Sequence, residues 1–211
     1  MSRGIARSGS KRDTRARILQ TATQVIRAHG YAASSVDDIC REAGVTKGAF
    51  FHHFKSKEDL AVAAAGHFSE TAERLFVAAP YRALADPLDR LLGYIDFRTA
   101  VLEGPIPEFT CLLGTMVQEA YDTHPAIRDA CHVHLAAHAA EVAKDIAAAK
   151  AVYAPNAPWS AESVALYIQA VLQGGFVLAK ARGGPEAARQ CLAHLRRHLL
   201  HLFNRPTSKE E

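Results

Sequence analysis

Apolar residues recur along this chain at helical spacing almost from end to end, and strand-like alternation is absent. Glycine and proline fall between the periodic stretches, where they end helices rather than interrupt them. The first stripe is Ile18, Ala22, Val25 and Ile26, and it stops at Gly30. Ser35 is placed to cap a short second helix with Val36, Ile39 and Cys40 inward. Asp38, three residues on, completes a capping box, with the shorter Asp in place of Glu. Gly44 ends that helix and supplies the left-handed residue of a tight turn. Thr46 caps a third helix through Phe50 and Phe51. Ser56 caps a fourth, where Glu58 and Asp59 suit the positive end of the helix dipole. Its predicted inward stripe is Leu60, Ala64, His67, Phe68, Thr71 and Leu75, closed by Pro80.

Beyond Pro80 the pattern repeats on longer elements. Asp86–Pro87 is a cap followed by proline at the first helical position, opening a fifth helix with Leu88, Leu91, Leu92, Ile95 and Leu102. Gly104, Pro105 and Pro107 break it, and a sixth carries Phe109, Leu112, Leu113, Met116 and Val117. Pro125 opens a long, Ala-rich seventh. Residues 154–158 form a loop, and Ser160 begins an eighth, with Val164, Ile168, Val171 and Leu172 on one stripe, that Gly183–Gly184 end. Pro185 begins a ninth, with Cys191, Leu192, Leu195, Leu199 and Leu202 inward. The pattern predicts an all-α chain of about nine helices, with no internal repeat.

Composition narrows the function classes. An apolar fraction of 49% excludes a disordered chain. The net charge of +3 hides an asymmetry: residues 1–60 hold 11 Lys and Arg against 6 Asp and Glu, so the positive charge sits at one end. That end is a candidate surface for a polyanion. Residues 1–11 read as a flexible basic arm. Four cysteines without CxxC spacing argue against a disulfide scaffold and for a reducing, cytoplasmic setting. No apolar run approaches the ~20 residues of a membrane span, and no hydrophobic stretch follows the basic N-terminus as in a signal peptide.

Residues 35–54 have the grammar of a helix-turn-helix: a cap, a two-turn helix, a tight turn at Ala43–Gly44–Val45 and a second short helix. In such a motif the second helix lies in the major groove with its N-terminal residues toward base edges. Here it opens with Thr46 and Lys47, continues through the small Gly48 and Ala49, and reaches His52 and His53. Arg3, Arg7, Lys11, Arg12, Arg15 and Arg17 are placed to add phosphate contacts, which give salt-dependent affinity but little sequence information. Taken singly, Ser35 and Thr46 are caps and the basic residues a solvated surface. Together they point to DNA.

The stretch DDICREAGVTKGAFFHHFKSKEDL, with RARILQTATQVIRAHGY upstream, resembles the N-terminal signature of the TetR family. The resemblance implies a three-helix DNA-binding domain over 12–57, an effector-binding and dimerisation bundle over 58–204, and a tail over 205–211. It implies phosphate or base contacts from Ser35, Thr46, Lys47, Gly48, Phe51, His52 and Lys57, joined by Arg12 and Arg15. One departure stands out: the family usually has Tyr where this chain has Phe51, so a phenol suited to a phosphate oxygen is missing. The resemblance also implies a homodimer through the last two helices. Two recognition helices spaced by about 34–36 Å would read a palindrome.

For the effector, the resemblance implies a bundle pocket, and residues on the predicted inward stripes are the candidates. They are His67, Phe68, Phe76, Tyr94, Phe97, Arg98, Cys111, Thr115, Met116, Glu119, His134, His138 and Tyr167, a set whose aromatic walls suit a small, largely apolar ligand. For each one the plain alternative is core packing. The stretches CLLGTMVQEA and LQGGFVLAKARGGPEAA are similar to a NemR-like branch that controls electrophile-detoxifying genes. Cys111, at the start of a helix, then becomes a candidate reactive thiol. Cys131, His134 and His138 share one stripe, which leaves zinc open as an alternative if Cys111 faces them, whereas the stripe of His194, His198 and His201 reads as a plain exposed or interfacial face. No GxSxG, HExxH, Walker A or paired-carboxylate pattern occurs, so no enzyme and no cofactor are expected. The readings carried forward are a ligand-released repressor, a thiol-based sensor acting through Cys111, and a DNA-binding protein without an effector.

Overall fold

The computed structural model describes the backbone of residues 5–205 and the side chains of residues 13–205. Among these residues the chain is all-helical. The elements are α1 (Ile5–His29), α2 (Val36–Ala43), α3 (Lys47–His53), α4 (Lys57–Val77), a 3-10 turn (Pro80–Ala83), α5 (Pro87–Ala100), α6 (Ile106–Phe109), α7 (Leu112–Ala120), α8 (Pro125–Tyr153), α9 (Ala161–Arg182) and α10 (Glu186–Leu202). One helix more than expected arises where the predicted sixth divides. The backbone of Thr110 and Cys111 is extended, so a four-residue α6 stops at Phe109 and α7 starts afresh. Helix α1 begins at Ile5, so its backbone takes in most of the predicted arm. The side chains of residues 1–12, Arg12 among them, and the predicted tail from residue 206 onward lie outside the described residues.

The helices pack as two compact units. Among the described residues, the first joins 5–73 to 111–134, and the second joins 74–110 to 135–205. Packing divides α4 after residue 73 rather than at the expected 57/58, and it groups α7 and the start of α8 with the N-terminal helices. In the first unit Ile18, Leu19, Ala22 and Ile26 of α1 are buried with Ile39 of α2, Phe50 of α3, Leu60 and Ala64 of α4, and Leu112 and Met116 of α7. Each large apolar side chain so buried contributes about 1.5–3 kcal/mol relative to exposure. The inward stripe of α4 drifts from the expected one. Thr71 is exposed and Leu75 is 49% exposed, while Phe76, expected inward as a pocket candidate, is buried. The 3.6-residue period carries the buried face from Ala64 and Ala65 to Phe76.

In the second unit α5, α9 and α10 enclose Leu88, Leu91, Ile95, Val164, Ile168, Leu195 and Leu199. Asp86 caps α5 by accepting from the N–H groups of Leu88 (2.8 Å) and Asp89 (3.0 Å), and the Tyr153 hydroxyl donates to its other oxygen. Arg205, expected as the first tail residue, instead holds Asp89 at 2.6 Å. Asp145 of α8 accepts from Arg90 at 2.8 Å and Arg82 at 3.3 Å, tying the 3-10 turn to α8.

Helix α9 is the one helix among the described residues long and apolar enough to cross a membrane by length and composition. Two apolar faces on one helix explain it. Val164, Ile168, Leu172 and Phe176 are buried in the unit. Leu166, Tyr167, Val177 and Leu178 lie on the opposite side, each 44% or more exposed.

Candidate nucleic-acid interface and ligand cluster

The helix-turn-helix is built from local capping chemistry. Ser35 Oγ accepts from the Asp38 N–H at 3.1 Å, and the Asp38 carboxylate accepts from the Ser35 N–H at 3.1 Å and from its hydroxyl at 2.5 Å. Those bonds from Ser35, with the Arg41 guanidinium at 2.5 Å, hold the Asp38 carboxyl down at about 2. The turn is made by Gly44 in the left-handed region (φ 61°), with its N–H and that of Val45 closing onto the carbonyls of Arg41 and Cys40. Thr46 Oγ1 accepts from the Ala49 N–H at 3.1 Å and caps α3. Ser35 and Thr46 thus both serve as caps, which leaves their hydroxyls partly committed before any DNA arrives.

Helix α3 has two faces. Phe50 is fully buried and, with Phe54 just past its end, anchors the helix to the core. Lys47, Gly48, Phe51 and His52 are exposed on the other side, as are Thr46, Lys55 and Ser56. The candidates on the recognition helix therefore share one face, as expected. Lys47 Nζ is not bare: it pairs with Asp37 of α2 at 2.8 Å, and that contact raises its pKa. Arg15 lies over the Phe54 ring at 5.2 Å, positioned by a cation–π contact at the foot of α1.

Lys57, expected at a phosphate, has partners within its own chain. Its ammonium is half-buried and donates to the carbonyls of Tyr31 and Ser34, both at 3.0 Å, with the Tyr31 ring 4.2 Å away. Burial lowers its pKa, with Glu119 acting the other way. Lys57 therefore clamps the loop between α1 and α2. Glu119, expected in the effector pocket, reaches the same loop and accepts from the Ala32 N–H at 2.8 Å. Sequence reasoning missed this pair because nothing local links position 119 to position 32. The positive φ of Gly30, at the foot of that loop, is the nearest thing to a signal.

The effector candidates divide between the two units. In the second unit an aromatic cluster forms from five elements. The ring of Phe76 lies 5.8 Å from Tyr94, 6.0 Å from Phe97 and 5.0 Å from His138. Tyr81 joins at 5.9 Å from both Tyr94 and Phe97. Tyr94 and His138 are hydrogen-bonded, Oη to Nε2, at 2.8 Å. Burial, with the charges of Arg98 and Arg82, brings His138 down to about 4, so it is neutral near pH 7. The Arg98 guanidinium stacks over Phe76 at 5.2 Å and Phe176 at 5.6 Å. Tyr94, Phe97, Arg98 and His138 are thus brought together, and Tyr81 and Phe176 are additions that sequence reasoning did not single out.

The remaining candidates do not join that cluster. Tyr167 is 46% exposed on the outer side of α9, edge-on to His198 at 5.3 Å, off the predicted stripe of Val164, Ile168 and Leu172 that is in fact buried. In the first unit Phe68 carries Arg27 over its ring at 5.5 Å, and His134 lies beside Gly66 of α4. Met116 is fully buried, and Thr115 is buried with its hydroxyl donating to the Cys111 carbonyl at 3.0 Å. Cys111 is half-buried at the N-cap of α7. Cys131 is fully buried, and burial, reinforced by Cys111 nearby, pushes its thiol up to about 12. Among the described residues no three His, Cys, Asp or Glu side chains converge as metal ligands.

Residues 18–64 match the family described as "Bacterial regulatory proteins, tetR family", and residues 87–195 match "Tetracyclin repressor-like, C-terminal domain". The "HTH-type transcriptional repressor DhaR" of a Mycobacterium strain is 30% identical over 114 residues, which is 54% of this chain and 56% of that protein. The chain thus spans little more than half the length of that relative. Among solved structures, a TetR transcriptional regulator from Chloroflexus aurantiacus superposes with a TM-score of 0.79 at 24% identity, covering 90% of this chain and 96% of the other. Reduced NemR from E. coli gives 0.76 at 21% identity, covering 88% and 96%. At these identities the structural likeness concerns the fold.

Proposed function

Because this chain belongs to the TetR family of bacterial regulatory proteins, we propose that it is a cytoplasmic transcription repressor that binds a palindromic operator as a homodimer. The observation that carries this reading is the exposed face of α3, where Lys47, Gly48, Phe51 and His52 stand together on a doubly capped helix-turn-helix. The exposed apolar side of α9 supports the dimer. Leu166, Tyr167, Val177 and Leu178 leave water when a second copy covers them.

The effector in this reading is small and largely apolar, and it enters among Phe76, Tyr94, Phe97, Arg98 and His138. Phe76 lies on α4, the helix that begins at Lys57, so a ligand that repacks Phe76 acts on the connector itself. Release from DNA requires that the ligand prefer one packing over the other, since tight binding to both shifts nothing.

The test is selection of random duplexes by purified protein at fixed salt, followed by sequencing. A recovered palindrome supports a dimeric, sequence-specific regulator, and sequence-independent retention alone would refute it. A second reading, thiol sensing, draws on Cys111, half-buried at a helix N-cap beside Cys131. Treatment with an electrophile separates the two: under thiol sensing, Cys111→Ser loses the response and keeps operator binding. A protein with no effector would be released by neither small ligands nor electrophiles.

A further inference from the structure

Phe51 is 54% exposed on the face of α3 that carries Lys47, Gly48 and His52. An exposed phenyl gains nothing from water, and its neighbours Phe50 and Phe54 show that the same helix has an apolar core available on its other side. The ring is held edge-on against Phe50, with centroids 5.1 Å apart and an interplanar angle of 80°, so it stands out from the helix in a fixed direction. The position beside it is open. A Cβ built on Gly48 would meet only Thr46 Oγ1, at 3.8 Å, so no side chain fences the ring on that side. Lys47 and Lys55 are exposed on the same segment, which draws a polyanion to this face.

A phenyl has neither donor nor acceptor, so it reads neither a phosphate oxygen nor a base-edge hydrogen bond. The apolar group that the major groove offers is the 5-methyl of thymine. We propose that Phe51 is a specificity-determining residue that selects thymine in each half-site through contact with that methyl group. The proposal rests on the operator-binding reading above.

The test uses the full-length protein and the palindrome recovered by selection. Each thymine is replaced by deoxyuridine, singly and then symmetrically in both half-sites, and affinity is measured by fluorescence anisotropy at one salt concentration. One symmetric thymine pair is expected to be sensitive. Loss of its methyl weakens binding about fourfold per half-site and about fifteenfold for both, which corresponds to about 0.8 kcal/mol per methyl. Phe51→Ala is expected to bind the thymine and uracil operators equally. Phe51→Tyr, which keeps the ring, is expected to keep the discrimination. The position is exposed, so circular dichroism should show all three proteins equally folded. If no thymine is sensitive, or if Phe51→Ala retains the sensitivity, the proposal is overturned while operator binding stands. If selection returns no operator, the parent reading fails and this one with it.

Discussion

The carboxylate of Glu119, near the end of α7, accepts a hydrogen bond from the backbone N–H of Ala32 at 2.8 Å. The same carboxylate lies where a side chain on Gly30 would project. A Cβ there would come within 2.3 Å of Oε1, and Gly30 holds φ +90°. The loop between α1 and α2 is thus pinned from one side by Glu119 and from the other by Lys57. Gly30→Ala is expected to cost about 1–3 kcal/mol, through the left-handed backbone and the displaced carboxylate together. Glu119→Ala is expected to cost about 1 kcal/mol and to speed hydrogen exchange at the Ala32 amide. Urea titrations with exchange measurements check both, and a Gly30→Ala protein of unchanged stability would show that the loop is not so constrained.

A pH effect follows from His138. Its folded-state value of about 4 lies below the ordinary histidine value of 6.5, so between those limits the unfolded chain binds the extra proton. Stability is therefore full above about pH 6.5 and falls as the pH drops toward 4, by up to about 3 kcal/mol. His138→Phe is expected to flatten the stability profile in that window. Melting temperatures from pH 7 to pH 4 would check this, and parallel curves for the two proteins would exclude His138 as the cause.

What the sequence shows and hides can be seen at these two positions. The capping box at Ser35 and Asp38, the turn at Gly44 and the shared face of Lys47, Gly48, Phe51 and His52 are local, so residue type and spacing specify them. The cluster of Tyr94, Phe97, Arg98 and His138 was legible as inward stripes, although its partners Tyr81 and Phe176 come from a 3-10 turn and from α9. The loop contacts of Glu119 and Lys57 were not legible because their partners are backbone groups, which carry no residue identity for a pattern to find. Tyr167 was misread in phase: it lies one residue before Ile168, off the stripe that the spacing of Val164, Ile168 and Leu172 marks as inward.

Asp86 makes a third prediction. It caps α5 with one oxygen and receives the Tyr153 hydroxyl on the other, and that hydrogen bond is the main cause of its lowered pKa. Asp86→Ala is expected to lose about 1–2 kcal/mol as a cap. Asp86→Ser, which keeps a capping oxygen, should recover part of that loss in thermal unfolding. Equal losses in the two variants would assign the effect to Tyr153 rather than to the cap.

The outer stripe of α9 makes a fourth. Introducing charge with Leu166→Glu and Val177→Glu leaves the buried face of the helix untouched, since both residues are exposed in the single chain. Sedimentation is expected to show monomers of native helicity that no longer hold the palindrome. Unchanged dimers would move the self-association surface elsewhere.

The ion pair between Lys47 and Asp37 bears on how such a protein would search a genome. A cation already satisfied by its own chain is a poor non-specific adhesive, because every passing phosphate must first compete with a carboxylate 2.8 Å away. If Lys47 meets phosphate as proposed, Asp37 is its competitor, and Asp37→Ala is expected to bind unrelated duplexes more tightly at low salt.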